Sequence, residues 1–391
     1  MSFFLLFAGL FGGYIGWRLV ATAGLGIRYA FGTSLLVVAL LFTSPVTVIM
    51  RINGLENLWL DRLTWLAYLG LGFLSFIFTF LIIRDAGWTG LGLIRRAKRM
   101  GISRNPLPAR KTGPDGVRRH MLIKGVNIGI MASAGIFTGY GVAAARQVPE
   151  VRRIRVPVEG LHSDLKGFRI VQITDIHVSP TIKRPFVAGV VDVVNGLSAD
   201  LVALTGDLVD GSVVNLSYDV APIENIKSKY GNYFVTGNHE YYSGVTAWMR
   251  HVEKLGFTVL LNEHRLVEKG RGRLVLAGVP DYRGGQFLKS HRSDPVRALA
   301  GAPSCHAKIL LAHQPKSFPA AVKAGYDLQI SGHTHGGQFF PWNFFVQIDQ
   351  PYVAGLYRHR NSWVYVSRGT GYWGPPVRLG SPSEITVIEL V

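Results

Sequence analysis

The sequence predicts an α-helical membrane region over residues 1–145 followed by an α/β domain over residues 146–391. Three observations lead there. Long uncharged apolar runs crowd the first part, and short apolar runs of strand length recur in the second. Several of those short runs are followed at once by Asp, Asn or His. A chain of 391 residues is also long enough for two parts.

The membrane elements come first. Ser2 to Trp17 is short and Gly-rich, and no basic flank precedes its apolar run, so it reads as a span rather than a cleaved signal peptide. Tyr29 to Met50 and Leu63 to Ile83 each give roughly 20 apolar residues without a charge, enough for a helix to cross a bilayer. Met121 to Ala145 is a fourth run, broken near its start by Lys124. Four helices are therefore expected, at 2–17, 29–50, 63–83 and 121–145, with a basic loop over 84–120. Three spans are the alternative, with a buried core helix in place of a span.

Orientation follows from the basic residues. Arg84 to Lys124 holds eleven Lys or Arg against two Asp, which keeps that segment in the cytoplasm. Arg18 and Arg28 mark the first loop as inside as well, so Arg51 to Arg62 and the α/β domain fall outside. Arg146, Arg152, Arg153 and Arg155 pull the other way, against the larger cluster. Arg118-Arg119-His120-Met121-Leu122-Ile123-Lys124 also has the look of a twin-arginine export signal, with Ala143-Ala144-Ala145 as a small-residue cleavage site. Its plainer reading is a positive-inside anchor with small residues at helix-packing positions.

In the α/β part, Phe168 to Thr174 is a continuous apolar strand, with Asp175 and His177 just past it. If the chain stays extended, residues two apart project to one side, and carboxylate and imidazole can grip one ion. Leu201 to Leu204 is a second buried run, after which Gly206 frees the backbone to turn Asp207 out of the sheet. Asn232 to Thr236 delivers Asn238 and His239, Lys308 to Ala312 delivers His313, and Tyr326 to Ile330 delivers His333 and His335. Residues at the carboxyl ends of successive strands converge, which is where open α/β sheets hold their sites. Carboxylate, amide oxygen and imidazole together suit Mn, Fe, Zn or Co, with availability deciding more than affinity. A pair of divalent ions would generate a nucleophilic hydroxide and place positive charge over a phosphoryl group. A lone Asp-x-His or Gly-Asp is a weak signal, Gly-His-Thr-His a strong one, and the ordered set is stronger than any member. His120, His251 and His291 stand outside the blocks and read as surface or packing residues.

The five blocks Asp175-Ile176-His177, Gly206-Asp207, Gly237-Asn238-His239-Glu240, His313 and Gly332-His333-Thr334-His335 resemble the calcineurin-like metallophosphoesterase superfamily. Its pattern is D-x-H, G-D, G-N-H-D/E, H and G-H-x-H, and every position is filled. The resemblance covers nearly all of residues 150–391. Arg368-Gly369-Thr370-Gly371 and the run from Pro376-Val377-Arg378 to Ile385 look like the end of a membrane-attached bacterial branch, and also read as a turn before a last strand, Ile385 to Leu390. The resemblance implies an α/β/β/α sandwich of two mixed sheets with helices outside. Carried over by position, Asp175, His177 and His335 would bind one metal and Asn238, His313 and His333 the other, with Asp207 bridging. His239 would be catalytic rather than a ligand, protonating the leaving oxygen or stabilising phosphoryl charge. The comparison gives Asp210 no metal role.

A formal charge of +18 requires a destination. Much of it lies in the basic loop, where it sets topology and meets anionic headgroups. Arg265, Lys269, Arg271, Arg273, Arg283, Lys289 and Arg292 form a looser basic surface. No basic and aromatic module of a recognised kind appears, so nucleic acid is not an expected partner. The single Cys305 allows no intramolecular disulfide and leaves the compartment open. Gly336 to Phe345 carries four Phe and a Trp directly after two predicted ligands, as core packing or as an apolar lip in a headgroup layer. Tyr241, Tyr242, Tyr372 and Trp373 would line the same entrance. The expected function is a membrane-anchored dinuclear phosphoesterase at the outer face of the cytoplasmic membrane. Its expected partners are membrane lipids and a phosphorylated, lipid- or envelope-linked substrate. Two alternatives stand: a UDP-diacylglucosamine-type pyrophosphatase with a cytoplasmic site, and a non-enzymatic membrane scaffold or sensor with a structural metal.

Overall fold

The apolar runs of the first part all become helix, because their periodic Leu, Ala and Phe can bury their backbone polar groups only by internal hydrogen bonding. In the computed structural model, which describes residues 2–102 and 116–391, these are α1 (Ser2–Leu19), α2 (Ile27–Ile52), α3 (Leu58–Ile102) and α4 (Gly116–Ala145). Among the described residues three stretches are long and apolar enough to cross a membrane, Ile27–Arg51, Leu58–Lys98 and Arg118–Ala145. The end of the apolar run at Ile83 predicts a loop from Arg84, whereas α3 continues to Ile102. Leu91, Leu93, Ile94, Arg95, Arg96 and Lys98 are good helix formers, and no proline occurs between Leu58 and Pro106. The rest of that expected loop, 103–115, lies outside the described residues, and α4 begins at Gly116 instead of Met121.

The chain divides into two units. One comprises the residues up to Val48 together with Leu63–Tyr140, and the other comprises Ile49–Arg62 with Gly141–Val391. In the first, Asp85 is the shared acceptor of a polar knot. Arg18 and Arg84 pair with it, and Tyr14 donates its hydroxyl at 2.8 Å. Asn127 donates to the Leu19 carbonyl at 2.8 Å and accepts from Arg84. Charged groups on apolar helices persist when paired in this way.

The second unit holds two six-stranded sheets among the described residues. The first runs in the order β1-β12-β2-β3-β4-β5, made of β1 (Glu150–Val156), β2 (Arg169–Ile173), β3 (Leu201–Leu204), β4 (Asn232–Phe234), β5 (Phe257–Val259) and β12 (Glu384–Leu390). The second runs β10-β11-β9-β8-β7-β6, made of β6 (Glu263–Lys269), β7 (Gly272–Gly278), β8 (Ala307–Leu311), β9 (Leu328–Ser331), β10 (Gly355–His359) and β11 (Ser362–Val366). Both are mixed: β2, β3, β4 and β5 are parallel, as are β7, β8, β9 and β11, while β12 against β2, β6 against β7 and β10 against β11 are antiparallel.

Strand alternation builds the layers. Ile170, Leu201, Leu276, Ile309, Ile330 and Ile388 fill a core shared by both sheets. Val171, Ile173, Val202 and Leu204 face the opposite way, against α5 (Arg184–Gly196), α6 (Val213–Val220) and, after the short α7 (Asn238–Tyr242), α8 (Val245–Lys254). Following α9 (Gly284–Phe287), α10 (Pro295–Ala298) and α11 (Phe318–Ala324) cover Ala277, Leu310 and Val364 on the far side, and α12 (Trp342–Asp349) follows. The architecture is thus α/β/β/α. The parallel strands β2, β3 and β4 of one sheet and β8 and β9 of the other bring their carboxyl ends to the same region.

Candidate functional site

Each predicted ligand sits where a strand stops and the backbone turns sharply. Asp175, His177, Asp207, His333 and His335 have φ of 54°, 53°, 51°, 72° and 50°, the left-handed region that side chains seldom occupy. The segment after β2 is therefore not an extension of the strand, as the spacing of Asp175 and His177 suggested. Backbone bonds from Asp175 N to Gly206 O (3.0 Å) and from His177 N to Asp207 O (3.1 Å) bend it over the end of β3. The two side chains still converge, through coiled rather than extended geometry. Gly206 (φ 88°) and Gly237 make the close approach possible, since a Cβ on Gly237 would overlap Asp207 Oδ1.

The structure brings together three groups whose potential ligand atoms lie within 4.8 Å of one another: Asp175, His177 and His335; Asp207, His313 and His333; and His177, Asp210 and His239. Nε2 of His177 lies 3.1 Å from Nε2 of His335, and Nε2 of His313 lies 3.1 Å from Nδ1 of His333. Asp207 Oδ2 lies between the clusters, 3.0 Å from His313 Nε2 and 3.8 Å from His177 Nε2. Asn238 opens α7 beside Asp207 and is buried, and its Oδ1 has no hydrogen-bond partner. A buried amide oxygen without a donor is costly. A cation satisfies it, so the donor set fits divalent metal.

Neighbouring groups orient these donors. His313 Nδ1 donates to the Thr205 carbonyl at 2.8 Å, which leaves Nε2 with the lone pair. His177 Nδ1 lies 3.1 Å from Asp210 Oδ1 and is fixed in the same sense. Arg378, fully buried, places its guanidinium 3.1 Å from His335 Nδ1 and donates to the Gly371 carbonyl. Burial, then His177 and Arg378, hold the His335 pKa well below its ordinary value. Burial and His313 push that of His333 down to about 3. Burial opposes protonation of His313 too, but Asp207 outweighs it and raises that pKa well above normal. A metal would take the place of that proton.

His239 is held differently. Its Nδ1 lies 2.6 Å from Asp210 Oδ1, its N–H donates to Asp207 Oδ1 at 2.9 Å, and its side chain is 15% exposed. Burial lowers its pKa, but Asp207 and Asp210 together raise it to about 9. The rings of Tyr242 and Trp373 contact it edge-on at 5.2 and 5.6 Å. Asp210, set aside in the sequence reading, is thus the shared anchor of His177 and His239. Its carboxyl is held below the usual range by those imidazoles, against burial. The last Asp of Gly206-Asp207-Leu208-Val209-Asp210 was the available signal.

Glu240 was also without a role. It accepts from Gly237 N (2.7 Å), Leu208 N (2.8 Å) and Asp207 N (3.0 Å), and so pins the two turns that carry Asp207 and Asn238. Of the histidines read as bystanders, His120 is exposed, while His291 is buried with Nδ1 2.9 Å from the Tyr241 hydroxyl.

Two mixed sheets with Asp, Asn and His gathered at their strand ends give the chain a metallophosphoesterase fold with a candidate metal site. The comparisons agree. Residues 168–337 match the calcineurin-like phosphoesterase family. A Danio rerio transmembrane protein with metallophosphoesterase domain is 39% identical over 259 residues, covering 64% of this chain and 59% of that protein. An uncharacterized metallophosphoesterase of Helicobacter pylori is 36% identical over 281 residues, covering 70% of this chain and 72% of its own. The chain belongs to the calcineurin-like metallophosphoesterase family. It spans 59% of the length of the transmembrane relatives from Danio rerio and Bos taurus. Among solved structures, a Thermus thermophilus 5'-nucleotidase precursor aligns with a TM-score of 0.37 at 14% identity, over 56% of this chain and 54% of its own.

Because Asp207 sits between both clusters, Asp207→Asn is expected to lower the metal content of the purified protein below that of Asp175→Asn, measured by elemental analysis. Unchanged metal content in Asp207→Asn would remove it from the site.

Proposed function

We propose that the chain is a membrane-anchored phosphoesterase with two divalent metals, acting on a phosphate ester of a lipid- or envelope-linked substrate. The observation that carries this is the placement of Asp207 between one cluster of Asp175, His177 and His335 and another of His313 and His333, with the unpaired Asn238 Oδ1 alongside. Divalent ions, when bound there, supply an acidified water at neutral pH and positive charge over the phosphoryl oxygens. Manganese, iron, zinc and cobalt all suit this mixed oxygen and nitrogen set.

The chain's own residues do the rest. Asp210 holds His239 through Nδ1, so Nε2 is the nitrogen available to pass a proton to the leaving oxygen. The Asp210 carboxylate, 2.6 Å away, favours the protonated form of that imidazole. Glu240 fixes the backbone of Asp207 and Gly237, which keeps the site organised before substrate arrives.

Membrane attachment and side are supported by the three apolar stretches and by the basic count of Arg84 to Lys124. On this reading the catalytic unit lies outside the cytoplasm. The inclusion of Ile49–Arg62 in the same unit as Gly141–Val391 is consistent with it, because two spans separate these segments.

Three experiments test the proposal. With Mn²⁺ the protein is expected to hydrolyse bis-p-nitrophenyl phosphate, with activity abolished by chelation. His239→Ala is expected to keep its metals while kcat falls by roughly 10²–10⁴-fold, the usual cost of a lost proton donor. Loss of metal in that variant would make His239 a ligand instead. For the membrane side, alkaline phosphatase fused after Val391 should be active and green fluorescent protein dark. The reverse result would place the site in the cytoplasm and favour a UDP-diacylglucosamine-type pyrophosphatase.

A further inference from the structure

Beyond the buried Phe339, the aromatic segment after His335 does not pack into a core. α12 has no buried residue, and Trp342, Phe344, Phe345 and Ile348 are 43%, 61%, 54% and 82% exposed. Phe340 lies edge-on to Phe344 at 5.9 Å, and Trp342 lies 5.8 Å from Phe345, so these rings form one surface. A contiguous apolar surface of this kind marks an interaction site.

Its connections indicate the occupant. Gln338 Nε2 donates to the Trp373 and Pro375 carbonyls at 3.0 and 2.9 Å, and Trp373 N donates to Gln338 Oε1 at 2.9 Å. This ties the segment leading into α12 to a loop whose Trp373 is itself 52% exposed. A few residues on, Arg378 N donates to the Gly141 carbonyl at 3.0 Å. Gly141–Ala145 is the last part of α4, within a stretch apolar and long enough to cross a membrane. The aromatic surface is therefore continuous, through hydrogen bonds, with the end of a membrane-type helix inside one compact unit.

A second membrane-type end joins the same unit. Ile49–Arg62 links α2 and α3, and Leu55, Leu58 and Trp59 on it are exposed. Glu56 accepts from Ser212 Oγ at 3.2 Å, two residues from Asp210, and Asp61 pairs with Lys183 at 3.7 Å. Two elements that leave the catalytic unit toward apolar helices thus attach to it. At the polar end of α12, Lys316 and Arg283 lie 2.6 and 3.6 Å from Asp349, and Trp and Phe beside basic groups are the composition of a membrane interface.

We infer that α12, with Phe340 and Trp373, is a docking surface for the lipid bilayer, seated at the boundary of headgroups and acyl chains. This rests on the reading that the apolar helices hold the chain in a membrane. Trp373 and Tyr242 flank His239, so the docked surface begins at the mouth of the site. A phosphoester whose apolar tail stays in the bilayer reaches the metal ligands along this surface without leaving the membrane. Lipid-linked substrates are the class it selects.

The test uses the full chain in nanodiscs of phosphatidylethanolamine and phosphatidylglycerol. In a Cys305→Ser background, nitroxide labels are placed by Phe344→Cys, Ile348→Cys and, as an aqueous reference, Val214→Cys, a position 88% exposed. Collisions with oxygen and with a water-soluble nickel chelate are measured. Labels at 344 and 348 are expected to meet oxygen and exclude nickel, while the label at 214 meets nickel. Nickel access at 344 and 348 equal to that at 214 would overturn the docking surface, as would exclusion of both reagents, which marks a protein contact. Turnover of bis-p-nitrophenyl phosphate by the same samples keeps the two readings apart. Loss of it with the labels in lipid would fault the hydrolase reading, and retained turnover with nickel access would fault the docking surface alone.

Discussion

The structure depends on the cost of burying negative charge at one point. Asp175, Asp207 and Glu240 are all but removed from solvent, and Asp210 lies against His177 and His239. Ions taken out of water carry a penalty of several kcal/mol each unless something repays it. Backbone N–H groups offset only part of it for Glu240, whose pKa burial and Asp207 still push up to about 7, whereas imidazoles offset it for Asp210. For Asp207 the repayment without metal is a proton on His313, which leaves the imidazole pairs and Asn238 Oδ1 without suitable partners. Bound divalent cations would resolve all of these at once.

That arrangement forces the backbone. Five of the predicted ligands occupy left-handed conformations, each costing about 1–3 kcal/mol. The two sheets bear this cost, because their shared core and the helices outside them fix where every strand ends. Glycine does the complementary task. Gly237 and Gly332 lie so close to Asp207 and Asp175 that any side chain there would overlap a carboxylate.

Much of this was legible in the sequence. The strand-ending blocks placed Asp175, His177, Asp207, Asn238, His239, His313, His333 and His335 together because ligand chemistry is local and strand ends converge. Three features were not legible. Asp210 becomes an anchor only once the turn after β3 is folded beneath His177 and His239. Arg378 is far along the chain and looked like part of a closing turn, yet it is the cation behind His335. Whether Phe339 to Phe345 packs inward or outward depends on which face α12 presents, and a run of apolar residues without a clear period does not say. Phe339 is buried, while the residues of α12 are not. The extension of α3 beyond Arg84 was missed because the end of an apolar run marks the end of a membrane segment, not of a helix.

In the proposed site Asp207 is shared by two cations, which anomalous diffraction from crystals grown with Mn²⁺ would detect. Two peaks about 3.5–4 Å apart on either side of the Asp207 carboxylate are expected. One peak belongs with Asp175, His177 and His335, and the other with Asn238, His313 and His333. A single peak, or two peaks that leave Asp207 outside both coordination shells, would contradict it.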